Sequence, residues 1–207
     1  LPVALSGGFN PNTGQIFDAL AAFAILLVTV LLSKGVKQVA RIENGIVMLK
    51  LIVIIIFIAV GATAIHPDNY VPFIPAHKAG THFGGLTGIL AGASQIFIAY
   101  VGFDAIAANT AETINPQKTM PKGLLGTLFL GTGFFVLGSL VLVGMFKYSI
   151  YAGNAEPAAF VLRKAGHYFT ANLLSLVAII GIFSALIGIL LASSRLIYSF
   201  GRDGLLS

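Results

Sequence analysis

Polar and charged positions fall in clusters along this chain, and long apolar runs separate them. A helix needs about 20 mainly apolar residues to cross a bilayer. Five runs meet that need: Ile16–Ser33, Gly45–Ala64, Gly85–Thr113, Gly123–Phe146 and Ala171–Phe200. The connecting stretches, Lys34–Asn44, Ile65–Gly84, Ile114–Lys122 and Lys147–Thr170, carry most of the charged and turn-forming residues. The pattern predicts one all-α integral membrane domain over residues 1–207.

Composition narrows the class. Of 207 residues, 57% are hydrophobic and 9% charged, against about 25% charged in a soluble domain. No cysteine is present, which excludes a disulfide framework, a thiolate metal site and a cysteine nucleophile. The formal charge of +5 is spread singly or in small groups, without the basic face of a nucleic-acid binder. The first residue is Leu and no basic n-region precedes an apolar stretch, so no signal peptide is read. The chain is read as an excerpt of something longer.

Lys and Arg favour cytoplasmic loops. With Lys34–Asn44 inside, the inner set is Lys34, Lys37, Arg41, Lys118, Lys122, Arg195 and Arg202; the outer set is Lys78, Lys147, Arg163 and Lys164. This bias puts the N-terminus outside and the C-terminus in the cytoplasm. The segment Asn154–Gly166 is too short to span and is expected at the interface. His66, His77 and His82 near Asp68 lack a helical metal-ligand spacing, and no metal site is expected from them.

The third run breaks the pattern. Its 29 residues would make a continuous helix of roughly 43 Å, against a hydrocarbon core of about 30 Å. An apolar half ends near Ile98; Ala99-Tyr100-Val101-Gly102-Phe103-Asp104 follows, then a polar half with Asn109 and Glu112. Two readings stand: a helix interrupted near 99–104, or a long tilted helix whose Asp104 is paired. An interruption, with Gly102 as its break, leaves backbone groups and opposed helix dipoles at membrane depth, suited to a zwitterion.

Lys50 lies about a turn and a half inside the second run, roughly 8 Å in. It can snorkel to the interface, or face the bundle interior as a removable cation. In the last run Gly181, Ser184, Ala185, Gly188 and Ala192 form a stripe of small residues suited to helix packing. Ser184 can also line an ion or proton site. Gly131-Thr132-Gly133 begins like a dinucleotide fingerprint but has no preceding strand, and it is dismissed. No nucleophile–base pair stands at enzymatic spacing, so no enzyme and no cofactor are expected.

The stretch Ile98–Pro121, IAYVGFDAIAANTAETINPQKTMP, closely resembles the sixth transmembrane helix of permeases in the amino acid–polyamine–organocation superfamily. Gly35–Lys50 is similar to the start of the fifth helix, and Ser193–Leu206 to the end of the eighth. The nearest branch is that of the cationic-amino-acid-transporter-like bacterial permeases. The resemblance implies a five-plus-five inverted-repeat transporter bundle, of which this chain carries helices four to eight. The remaining helices of the parent transporter, the amino acid, protons and the bilayer of a bacterial cell are then the partners. It implies proton-coupled amino acid transport by alternating access. A non-transporting membrane subunit or channel-like protein is the alternative. It assigns the backbone of Ile98, Ala99 and Val101 to the substrate ammonium, and Asp104 to substrate or gate. It assigns Lys50 to the place of a coupling cation, with Ser184 facing it.

Overall fold

The computed structural model describes residues 19–33, 36–78, 80, 81, 83–100, 102, 110 and 113–204, the side chains of 19, 20 and 36–38 excepted. Among them regular structure is helical throughout. The helices are α1 (Ala19–Ser33), α2 (Val36–Ala62), α3 (Gly85–Ile96), α4 (Pro116–Met145), α5 (Pro157–Lys164) and α6 (Tyr168–Arg202), with 3-10 turns at Pro67–Tyr70, Phe97–Tyr100 and Tyr148–Tyr151. The run LIVIIIFIAV within α2 is rich in β-branched residues that favour strands in water. In lipid, a segment must satisfy its own backbone, and the helix does so within itself.

Three helices among the described residues are long and apolar enough to cross a membrane: Val39–Ala62, Pro116–Met145 and Tyr168–Arg202. Shorter apolar helices cover Ala21–Ser33 and Gly85–Tyr100. Large apolar side chains point outward along them; Phe129, Ile98 and Phe169 are 76% to 82% exposed. A surface this apolar belongs against lipid or further helices. The fold is that of an all-α integral membrane protein. α2 begins ahead of its apolar run and takes in Arg41 and Glu43.

The chain divides into two compact units, 1–49 with 179–207, and 50–178. The first is built around Val28, Val39 and Ile187, with Leu31, Phe183 and Leu190 packed against them. The second is centred on Phe57, Val141, Met145, Val161, Leu162 and Ala171. In the second unit α2 and α4 touch through Gly61, where an added Cβ would collide with Val141.

The loop after α2 caps the end of α4. The last carbonyls of a helix have no partner within it. Here His66 N donates to Gly144 O at 2.9 Å. Asn69 Nδ2 donates to Gly144 O at 2.8 Å and to Met145 O at 3.1 Å, and the Tyr70 hydroxyl to Leu140 O at 2.8 Å. From the other side the Tyr151 hydroxyl donates to Leu142 O at 2.5 Å. The same loop then fixes the start of α3. Gly84 and Gly85 both take positive φ, and a Cβ on Gly84 would run into the Ala76 carbonyl. Gly85 N donates to Pro75 O at 2.9 Å, and Thr87 Oγ1 pairs with His77 Nδ1 at 3.0 Å.

Candidate functional site: a helix end and a serine–carboxylate pair

α3 ends at Ile96. The chain tightens into a 3-10 turn at Phe97–Tyr100, and Gly102 stands at φ +99. That backbone angle suits glycine alone among the common residues. A helix end leaves its final carbonyls without intrahelical partners, and Ile98 and Ala99 occupy that final turn, both exposed. Val101 and Asp104 lie outside the described residues, as do Asn109 and Glu112.

Tyr100 is held from α4. Its hydroxyl pairs with Thr132 Oγ1 at 2.9 Å, and its ring meets Phe135 edge-on, with centroids 5.5 Å apart. The Gly131-Thr132-Gly133 triplet therefore does a helix-contact job: Thr132 anchors the turn that precedes Gly102. A cavity of about 390 Å³ opens beside this contact, lined by Tyr70, Phe73, Tyr100, Phe135, Ser139 and Tyr148 among others. Its walls are mainly aromatic and aliphatic.

Lys50 sits half-buried in α2. Ser184 is 2% exposed in the middle of α6. Its hydroxyl donates a hydrogen bond to Oε1 of Glu43, so within this unit a buried serine and a carboxylate join α6 to α2. Glu43 has no place in the sequence-based site. It reads there as the polar edge of an apolar run, and the one available signal is that a carboxylate two residues before such a run falls inside the helix. No group of three or more His, Cys, Asp or Glu able to hold a metal occurs among the described residues.

Residues 3–207 match the Amino acid permease family. All 206 aligned positions, 100% of this chain, are 48% identical to the branched-chain amino acid permease BcaP of Lactococcus lactis subsp. cremoris and cover 44% of that protein. The methylthioribose transporter of Bacillus subtilis is 38% identical over 100% of this chain and 43% of its own length. The chloroplastic cationic amino acid transporter 9 of Arabidopsis thaliana is 33% identical over 100% of this chain and 35% of its own. The chain thus spans less than half the length of each of these relatives. With the match to residues 3–207 covering nearly all of it, the chain belongs to the amino acid permease family.

Proposed function

We propose that the protein is a secondary active transporter of amino acids, driven by protons and working by alternating access in a bacterial cell membrane. The observation that carries this reading is the 3-10 turn Phe97–Tyr100 that follows α3, with Gly102 at φ +99 after it, inside a segment of a permease-family chain. Backbone groups freed at such a break bind the charged ends of a zwitterion without any charged side chain. The carbonyls of Ile98, Ala99 and Val101 take the ammonium, and Asp104, which follows in sequence, serves as a substrate or gate contact.

The substrate class follows the relative with 48% identity, a branched-chain amino acid permease. Its substrates carry apolar side chains, in keeping with the aromatic and aliphatic surroundings of Tyr100. Lys50 is a coupling residue in this reading, and Ser184 is another. A lysine that gains and loses a proton is a removable cation, and the charge moved feels the transmembrane potential.

The test is uptake of labelled leucine by the full-length protein in proteoliposomes, with and without an inward proton gradient, beside Lys50→Ala. Uptake that follows the gradient in the wild type and ignores it in the variant supports the assignment. Equal gradient dependence in both proteins removes Lys50 from the coupling role.

A further inference from the structure

The Glu43 carboxylate is only half satisfied. Oε1 receives the Ser184 hydroxyl. Oε2 is shut off from solvent and accepts no hydrogen bond. A buried polar atom of this kind is costly unless something completes it. A metal ion, a neighbouring cation or a proton would each complete it.

Among the described residues the surroundings argue against the first two. One carboxylate and one hydroxyl, its hydrogen already committed, fall well short of the six or more oxygens a hard divalent cation takes. α1 brings no ionisable residue in Ala19–Ser33. The part of α6 beyond Ser184 brings Arg195, Tyr198 and Arg202. Their backbones stand about 16, 21 and 27 Å further along the helix axis. On α2 itself, Arg41 is exposed and two residues away, on a different face at 100° per residue. Lys37 and Lys50 are about 9 and 10 Å away along the axis.

We propose that Glu43 and Ser184 form a proton-binding site between α2 and α6. A proton from water forms an O–H bond at Oε2 and leaves the carboxyl neutral; release breaks that bond and returns the charge. Ser184 is the positioning residue. Its hydroxyl holds Oε1, so the proton enters at Oε2 alone. This inference rests on the transporter reading for its purpose, and it adds a proton-binding carboxylate to the coupling machinery.

The experiment is pH-difference infrared spectroscopy on the full-length protein in lipid, following the carbonyl stretch of protonated carboxylic acids. The wild type shows such a band, Glu43→Gln lacks it, and Ser184→Ala keeps it with a displaced titration midpoint. In parallel, the ratio of uptake with and without a proton gradient falls towards unity in Glu43→Gln. A band unchanged in Glu43→Gln overturns the proposal, as does an Ser184→Ala midpoint equal to the wild type. The spectroscopic arm needs no transport. A wild type that takes up no amino acid defeats the transporter reading, while the band still decides whether Glu43 binds a proton.

Discussion

Replacing Gly144 with alanine drives a methyl group into the Tyr70 ring. An added Cβ at Gly144 meets the Tyr70 hydroxyl oxygen first, then Cζ at 2.8 Å, then Ile65 Cγ1 at 3.1 Å. Ile65 can yield by a few tenths of an ångström, but Tyr70 cannot yield while its hydroxyl holds Leu140 O at 2.8 Å. Losing that bond costs about 1 kcal/mol, and overpacking a filled contact adds about 1–3 kcal/mol. The helix propensity of alanine returns up to about 1 kcal/mol. The net expectation is a loss of about 1–3 kcal/mol. The discriminating assay is a double-mutant cycle with Tyr70→Ala, by equilibrium unfolding of the full-length protein in mixed micelles. With the ring gone, Gly144→Ala becomes neutral or slightly stabilising, and the coupling energy falls within about 0.5–3 kcal/mol. An equal cost in both backgrounds refutes the claim that the loop ring fills the space against Gly144.

Two further outcomes follow from the same geometry. Burial pushes the Tyr151 phenol from its ordinary 10.0 up to about 12. Above pH 10 the unfolded chain loses this proton first, so stability is fully present below pH 10 and falls as pH rises towards 12. Unfolding midpoints across that window detect the fall, and Tyr151→Phe flattens it; a wild type as flat as the variant contradicts the burial. At Gly102 the +99° φ makes an alanine side chain cost about 1–3 kcal/mol of backbone strain. Gly102→Ala is expected to cut uptake about tenfold or more at unchanged abundance in the membrane. Undiminished uptake shows that the break does not need this conformation.

The all-helical membrane class was legible because apolar runs of about 20 residues leave the backbone no alternative in lipid. The third run was less legible: its residues leave open an interruption near 99–104 or a long tilted helix, while in the structure α3 ends at Ile96, a 3-10 turn covers Phe97–Tyr100 and Gly102 takes positive φ. What sequence order hides is partnership across long separations. Asn69 and Tyr70 read as ordinary loop residues, yet they cap a helix end 70 to 76 positions away. Thr132 looked like part of a failed nucleotide motif until Tyr100 was found on its hydroxyl. Glu43 went unnoticed because a charge at the edge of an apolar run reads as its boundary. Its meaning depends on Ser184, 141 positions away. Ser184 stands out by its place at mid-run, but nothing local in the sequence pairs it with Glu43.

The most direct test of the central claim is counterflow. Proteoliposomes holding the full-length protein are loaded with unlabelled leucine and exposed to a trace of labelled leucine, with arginine and methylthioribose as parallel labels. Transient accumulation of labelled leucine, absent from protein-free vesicles and blocked by excess isoleucine or valine, is the expected result. Folded protein that accumulates no amino acid label under these conditions contradicts the transporter reading; accumulation of methylthioribose alone contradicts its amino acid substrate.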